Sequence, residues 1–541
     1  MHVEAQGVVE RRMSQEFELK LHLPERQVAA FRREMLLQRF ARGPITTRNL
    51  RSIYFDTADR DLSKAGIALR VRRVNRRWLQ TIKLPVPTAS AQVHEEIEAP
   101  VRGAVPELGA RERDILARTC DTAIDPAALA PIFETSIRRT IWPLRFEGTD
   151  IELVYDRGLV EADGREERIS EIELELESGA PQRLFDVALK LIEAHPLTIE
   201  PRTKAARGFS LADGWQPEPV KSAPLVLDAD MTVGAGLMAM IENCLQLYHR
   251  NSVVLRHGDD PEGIHQMRVA LRRLRALIGA CRDTLPADMF AYLTEALRWL
   301  QQQLGPARDW DVFIAETLAP MQRRLPDDGD LPTLQIAAAA RREDAYRHAK
   351  ETIDDRRHCE IMLRIGGWLA GDDWLEHDGD APLGDFARDR LQGRYRRLRR
   401  FGKADNLALV ELHELRIAAK KMRYLAEFFR PIYPRKASRA FLLALAELQD
   451  DLGSINDAVV TEHLMADVEP LLVAHIGKVR SAQVRSLIAG WQAQRVEHDL
   501  VRFRKVWNRF RKCPVFWPKP PKSQSVEDDL ELRGLVADER P

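Results

Sequence analysis

Glu16, Glu18 and Lys20 stand at alternate positions in the segment EFELKL (16–21), with Phe17, Leu19 and Leu21 between them. Successive side chains of a strand point to opposite faces, so two carboxylates and an ammonium share one face and three apolar groups the other. A single strand of this kind is an edge strand with its charges in water. The pattern recurs, however. Arg70 and Arg72 alternate with Leu69 and Val71, and Glu96 and Glu98 flank Ile97. Glu152 and Asp156 alternate with Ile151, Leu153 and Tyr155, and Glu171, Glu173 and Glu175 with Ile172 and Leu174. If the apolar faces pack under helices, the ionic faces must look into a shared interior, which predicts a closed sheet with a charged lumen. Such a lumen is costly unless its acids and bases pair through a ligand or a metal.

A second kind of charged element follows later in the chain. HQMRVALRRLR (265–275) and HELRIAAKKMR (413–423) align at a spacing of 148 residues, and the same spacing carries LGPARD (304–309) onto LGSIND (452–457). Two motifs in one register imply a duplicated helical unit. At 100° per residue, Met267, Ala270, Leu271, Leu274, Leu277 and Ile278 form an apolar stripe, while His265, Arg268, Arg272 and Arg275 cluster opposite. In the second copy His413, Arg416, Lys420 and Arg423 share a face, and Arg273 and Lys421 flank the two faces. A solvated helix face usually mixes signs, whereas like charges one turn apart repel by a few tenths of a kcal/mol, so an anion should relieve them. Charges about 5–6 Å apart suit an extended polyanion. The nearby aromatics Tyr248, Trp299, Trp310, Tyr395 and Tyr424 do not alternate with the basic residues, which argues against nucleic-acid bases as the target.

The elements that must hold these residues fall into two halves. Strand-like runs at 16–21, 67–72, 78–84, 151–156 and 171–177 are interspersed with helical stretches at 25–39, 110–119 and 182–194. The first half therefore reads as α+β with a mostly antiparallel sheet, over residues 13–212. The proline-rich GWQPEPVKSAP (214–224) marks a linker, 213–228. Residues 229–512 carry long helical periodicity, as at 237–255, 264–282 and 439–452, and read as all-α; 513–541 read as a flexible tail.

A chain of 541 residues exceeds a single core. Lys+Arg and Asp+Glu balance at 82 each, so overall charge points to no nucleic-acid or membrane partner, and any electrostatic function depends on local segregation. Five scattered cysteines, Cys120, Cys244, Cys281, Cys359 and Cys513, argue against a disulfide framework or a thiolate zinc site and favour a reducing compartment. No stretch is apolar enough to span a bilayer and residues 1–13 lack an apolar segment, so a cytoplasmic protein without a membrane partner is expected.

Residues 13–212 resemble the CYTH superfamily of triphosphate tunnel metalloenzymes. The likeness starts at the ExExK signature, Glu16, Glu18 and Lys20. It continues through YFDT (54–57), ALRVR (68–72), TIK (81–83), Glu96 and Glu98, Arg139, LVYDRG (153–158), EIELE (171–175) and KAARG (204–208). Thr203 stands where such proteins often have Ser. The resemblance implies an eight-stranded antiparallel tunnel, covered by helices, that hydrolyses a linear triphosphate with a divalent metal. Glu16 and Glu18, with Glu173 and either Glu171 or Glu175, would supply hard oxygen ligands for Mg²⁺ or Mn²⁺. Lys20, Arg70, Arg72, Lys83, Arg139 and Lys204 would bind the phosphates. Glu16, Glu18, Lys20, Glu96 and Asp156 are the implied catalytic set, with either a second metal or Glu96 and Asp156 orienting or deprotonating the attacking water.

Residues 229–510 resemble the CHAD family of helical domains, on the two His-x-x-Arg helices and the two Leu-Gly turns. That family is associated with inorganic polyphosphate. The implied phosphate-facing set is His265, Arg268, Arg272, Arg273 and Arg275 with His413, Arg416, Lys420, Lys421 and Arg423. Arg308 is weaker, since Asn456 replaces it in the second copy. The combined expectation is a cytoplasmic inorganic triphosphatase with a polyphosphate-binding domain, and association with polyphosphate granules is a further option. Alternatives are a thiamine or nucleoside triphosphatase or an adenylate cyclase using the same tunnel, and a non-enzymatic polyphosphate scaffold.

Overall fold

The computed structural model describes residues 13–518 apart from 75–76, 86–91, 121, 215–216, 373 and 403–406, with the backbone alone at 13–16, 92–94, 409 and 454–456. The described chain forms two compact units. One takes in the residues up to Lys221 with Leu245–Met267 and His348–Trp374; the other takes in Ser222–Cys244, Arg268–Arg347 and the chain from Leu375.

The first unit is built on nine strands: β1 (Met13–His22), β2 (Thr46–Asp56), β3 (Ala68–Val74), β4 (Arg77–Pro85), β5 (Gln92–Val101), β6 (Ala130–Phe146), β7 (Thr149–Ala162), β8 (Arg165–Ser178) and the two-residue β9 (Thr198–Ile199). Their order is β5-β4-β3-β2-β6-β7-β8-β1-β9, every pairing is antiparallel, and a further β5–β1 pairing closes the first eight into a barrel. Strand β1 closes it by pairing with β5 over residues 13–18 and with β8 over 18–22. Register is fixed by tight hairpins. Glu147-Gly148 and Asp163-Gly164 both have φ > 0 at their two central residues, the geometry whose twist matches paired strands.

Because the side-chain period is 2, this register decides which residues face inward. Outward residues make two apolar clusters. Leu19, Leu21, Leu153, Tyr155, Ile172 and Leu174 pack under the Gln182–Ala194 helix, through Leu184, Val187, Ala188 and Leu191. Ile53, Leu69, Val71, Ile82 and Ile97 pack against Leu62 and Leu116. The 25–39 segment differs from the single helix expected of it. It is a turn of 3-10 helix followed by two short helices, Val28–Phe31 and Met35–Arg39. The break comes at Glu34, whose extended backbone places its carboxylate to accept from Leu36 N–H at 3.2 Å and to meet His195 Nε2 at 2.8 Å.

Along the helical part of the chain the two repeats show the same succession of elements. Helices Pro261–Ile278, Ala287–Gln303 and Gly305–Val312 are matched by Leu409–Phe429, Arg435–Asp451 and Gly453–Phe510. The first ends at Ile278, short of the 282 read from periodicity, since Gly279–Thr284 continue as turns. The last is interrupted at Gly477, where φ is +79°. The apolar stripe of Met267, Ala270, Leu271, Leu274, Leu277 and Ile278 is buried. The reading of the chain after 512 as a free tail is not met at Phe516 and Trp517. Both are buried against Phe441, and Trp517 Nε1 donates to Gln392 Oε1 at 3.0 Å. Two large aromatics gain more from that apolar seat than the tail loses in freedom. Residues 519–541 lie outside the described residues.

Candidate active site in the barrel and basic cluster of the helical unit

The register brings Glu18, Lys20, Arg70, Arg72, Lys83, Glu96, Glu98, Arg139, Asp156, Glu171, Glu173 and Glu175 onto the inward face. Glu16 lies on β1 opposite His94, and its side chain is outside what is described. Lys204 comes from the first turn of the Lys204–Ala212 helix, which the Thr203 hydroxyl caps by accepting from Ala206 N–H at 3.0 Å. Serine would cap equally, so the Thr203 departure leaves the helix start intact.

These groups form one ion-paired network. Lys20 contacts Glu18 and lies 3.3 Å from Glu173. Arg139 holds Asp156 through two nitrogens, at 2.9 and 2.7 Å, and reaches Glu173 and, at 3.5 Å, Glu175. Lys204 lies 2.7 Å from Asp156 and 2.8 Å from Glu173 and contacts Glu171. Arg70 lies 3.2 Å and Lys83 3.9 Å from Glu96. Burial disfavours the charged form of Lys20, Arg139, Asp156, Glu173 and Lys204, and the opposite charges around them outweigh it. Against burial, Asp156, Glu171 and Glu173 raise Lys204, and Glu18 and Glu173 raise Lys20. Against burial, Arg139 and Lys204 hold Asp156 below the usual carboxylate range, and Lys204, Lys20 and Arg139 do the same for Glu173. Glu171 goes the other way, raised by burial and by Glu173 despite Lys204.

Two groups of carboxylates each offer oxygens within 4.8 Å of one another: Glu18, Glu173 and Glu175, and Asp156, Glu171 and Glu173. The first is an all-oxygen set of three acids at the wall of the lumen, and it fits a hard divalent cation. The second already surrounds the Lys204 ammonium. Asp156, fully buried and held by two cations, is a fixed counter-ion and a weak proton acceptor, and Glu96 is engaged by Arg70 and Lys83.

The inward face turns apolar beyond these groups. Tyr54 stacks on Phe133 at 4.3 Å, Phe209 packs edge-on to Phe133, and Leu50, Ile137, Val160 and Ile169 fill the remainder. Glycine is required twice here. A Cβ on Gly158 would sit 1.9 Å from Ser136 O, and one on Gly208 would sit 2.0 Å from the Phe133 ring. Asp56 of the YFDT motif is structural, since its carboxylate accepts from the backbone N–H groups of Thr57, Leu62 and Ser63. Sequence reasoning missed Ser52 as a neighbour of the site, and it named Glu152 and Arg207 without giving either a role. Ser52 Oγ accepts from Arg72 Nε at 2.9 Å, and Arg207 lies 3.4 Å from Glu171. Ser52 is two residues from Tyr54 and shares its face, but the pairing register, not alternation alone, shows that this face of β2 is inward.

In the helical unit Arg268, Arg272, Arg308, Arg416 and Lys420 converge from both repeats, with Asp309 and Asp457 as the acids among them. Arg268 donates to Gln301 O at 3.0 Å and lies 3.7 Å from Asp309. The Leu-Gly turn allows this, because a Cβ on Gly305 would come 3.0 Å from Arg268 Nη1. Burial, then Arg416 and Arg272, push Lys420 down to about 7. The remaining basic residues of the two motifs are placed differently. Arg273 is buried with its guanidinium 4.6 Å from the Phe428 ring centre. Arg275 bonds the Gln301 side chain, and Arg423 lies 2.7 Å from Glu427. His413 is exposed, and His265 and Lys421 are half-buried.

Comparison with known proteins agrees with both halves. The CYTH domain family matches residues 14–209 and the CHAD domain family residues 239–466. An inorganic triphosphatase of Haemophilus influenzae is 31% identical over 163 residues, covering 30% of this chain and 46% of that protein, so the match spans less than half its length. An uncharacterised protein of Mycobacterium tuberculosis is 25% identical over 464 residues, 77% of this chain and 82% of its own. A crystal structure of the CHAD domain from the plant Ricinus communis shares 29% identity, covering 56% of this chain and 99% of that one, with a TM-score of 0.47. By its two family matches the chain carries a CYTH domain followed by a CHAD domain.

Proposed function

We propose that the barrel hydrolyses inorganic triphosphate with a divalent cation, Mg²⁺ or Mn²⁺, and that the helical unit binds inorganic polyphosphate. The observation that carries the first part is the interleaving of acids and bases on one inward face, where Glu18, Glu173 and Glu175 stand beside Lys20 and Arg139. A polyanion alone would be repelled by those carboxylates, whereas a phosphate chain with its cation needs both signs. Glu18, Glu173 and Glu175 would hold the cation, with Glu16 as a further ligand; when bound it polarises a phosphoryl oxygen and offsets charge. Lys20, Arg70, Arg72, Lys83 and Arg139 hold the phosphate oxygens and stabilise the charge that develops on the leaving group. Asp156 fixes Arg139 and Lys204 in place, and Glu96 does so for Arg70 and Lys83.

Phosphate release from tripolyphosphate, ATP and thiamine triphosphate, by the intact chain and by Glu16→Ala/Glu18→Ala, tests this reading. Release from tripolyphosphate that the double variant loses is expected. Release from ATP or thiamine triphosphate alone moves the assignment to those substrates, and no release from any leaves a binding scaffold.

Support for the second part comes from the convergence of Arg268, Arg272, Arg308, Arg416 and Lys420 around two acids. Arg268→Ala/Arg416→Ala is expected to weaken polyphosphate retention at matched salt, with thermal melting as the fold control. No helix of the described residues is long and apolar enough to cross a membrane. Cys244, Cys281 and Cys359 are free and buried, which suits a reducing, cytoplasmic setting.

A further inference from the structure

We propose that Ser52 is a positioning residue that tethers Arg72 at its Nε, so that this guanidinium meets the triphosphate as a cation with no protein carboxylate to displace. The inference rests on the reading of the barrel as a triphosphate site. Most inward cations of the barrel are already engaged by acids: Lys20 by Glu18 and Glu173, Arg70 and Lys83 by Glu96, Arg139 by Asp156, Glu173 and Glu175, and Lys204 by Asp156, Glu171 and Glu173. Arg72 is different. Among the described residues no carboxylate lies within 4.0 Å of it, and its partner is the neutral Ser52 hydroxyl at 2.9 Å. Burial, and then its neighbours Arg70 and Arg139, push Arg72 down to about 10.

Ser52 is placed to do this by register. It lies directly opposite Arg72 across β2–β3 and opposite Thr135 across β2–β6, and it is 1% exposed. Two residues on, Tyr54 is locked by its stack on Phe133, so the tether is anchored to the rigid apolar end of the lumen. A hydroxyl satisfies Nε without adding charge, leaving Nη1 and Nη2 for a phosphate, whose geometry a guanidinium edge matches with two parallel hydrogen bonds. An aspartate at this position would hold Arg72 as firmly and neutralise it.

The test is a double-mutant cycle on the full chain with Ser52→Ala, Arg72→Ala and both, plus Ser52→Thr, measuring tripolyphosphate turnover and calorimetric tripolyphosphate binding. Loss of a buried hydrogen bond to a charged donor predicts that Ser52→Ala raises KM and Kd by about five- to tenfold, with a smaller change in kcat and in melting temperature. Ser52→Thr, which keeps the hydroxyl, restores KM. In the Arg72→Ala background Ser52→Ala adds nothing, because its only route to substrate is gone. The proposal is overturned if the two substitutions act additively, or if Ser52→Ala lowers the melting temperature while KM and Kd stay put. Wild-type binding without turnover would remove the hydrolase reading and leave the tether standing; neither binding nor turnover would remove both.

Discussion

Lys204 in the barrel and Lys420 in the helical unit are both ammonium groups drawn out of water, and their surroundings shift them in opposite directions. Lys204 is buried among Asp156, Glu171 and Glu173, which overcome burial and raise it. Lys420 is half-buried beside Arg416 and Arg272, and Asp457 does not compensate, so it falls to about 7. One region neutralises itself and must exchange partners to admit a phosphate chain. The other stores repulsion that an anion relieves. On the proposed function carboxylates play opposite parts: in the barrel they would be needed for phosphate chemistry, in the helical unit they would compete with it.

The largest expected effect tests that contrast by making one substitution in both places. Lys204→Met leaves three buried carboxylates short of a cation, and removing one member of such a group costs about 3–5 kcal/mol of stability. Lys420→Met removes a repelled charge, and stability should hold or rise. Urea unfolding of both variants measures this, and equal losses would erase the distinction. The pH dependence carries the same sign. Lys204, raised in the folded state, contributes stability that is present below the unfolded lysine range and is lost only as pH rises through its higher folded value. Lys420, lowered, opposes folding fully below about pH 7, and that cost fades between about 7 and the unfolded lysine value near 10.4, so stability rises with pH in that window.

Metal binding in the barrel comes next in size. Glu18→Gln/Glu175→Gln removes two of three oxygens from the set that fits a divalent cation. Since loss of mere supporting groups costs 10–100-fold in metal affinity, loss of two ligands should weaken Mn²⁺ binding by about a hundredfold or more. Electron paramagnetic resonance reads free Mn²⁺ directly. Unchanged affinity would move the cation elsewhere.

How much of this was legible in the sequence differs between the regions. The inward charges of β1, β7 and β8 were readable because alternation has only two phases and the apolar phase must be core. The duplication was readable because two motifs kept one spacing. Pairing was not readable: that Lys204 sits among Asp156, Glu171 and Glu173 depends on how β7, β8 and a helix meet. Ser52 carried no charge to draw notice. The Tyr54–Phe133 stack has the same alternation as outward core, although it points inward. Arg273 shares its motif with Arg272, yet one position of helical phase sends it to the Phe428 ring. At Phe516 and Trp517 a proline-rich surrounding suggested a tail while the aromatics themselves found a buried seat.

The pH dependence of polyphosphate binding sharpens the comparison further. An anion raises Lys420 from about 7, so binding takes up a proton wherever the free protein has lost it. Affinity should be flat below pH 7 and fall above it, by up to about tenfold per unit if one group titrates. Lys420→Arg, which stays charged, should flatten the profile. A wild-type profile without slope between 7 and 9 would mean that Lys420 does not face the anion.

The smallest effect concerns the acids of the Leu-Gly turns. Asp309 lies 3.7 Å from Arg268, and Asp457 interacts with Arg416 at the equivalent position of the second repeat. Burial, only partly opposed by those guanidinium groups, raises both carboxylates, so neither is a strongly held partner. On the proposed function they are resident counter-ions that an incoming polyphosphate would have to outcompete. Asp309→Asn/Asp457→Asn keeps the side-chain shape and removes two like charges. At about 0.2–1 kcal/mol for a half-exposed pair, the double variant should bind polyphosphate about two- to tenfold more tightly, with the gain shrinking as salt is added. In the barrel, Glu18→Gln/Glu175→Gln also removes two carboxylates yet should weaken the hold on a phosphate chain, because the cation leaves with them. Calorimetry of both variants against the same polyphosphate and tripolyphosphate samples therefore decides whether acids serve opposite ends in the two regions. Weaker polyphosphate binding by the aspartate variant would instead make Asp309 and Asp457 orienters of Arg268 and Arg416, and the helical unit would then work by the same interleaving of signs as the barrel.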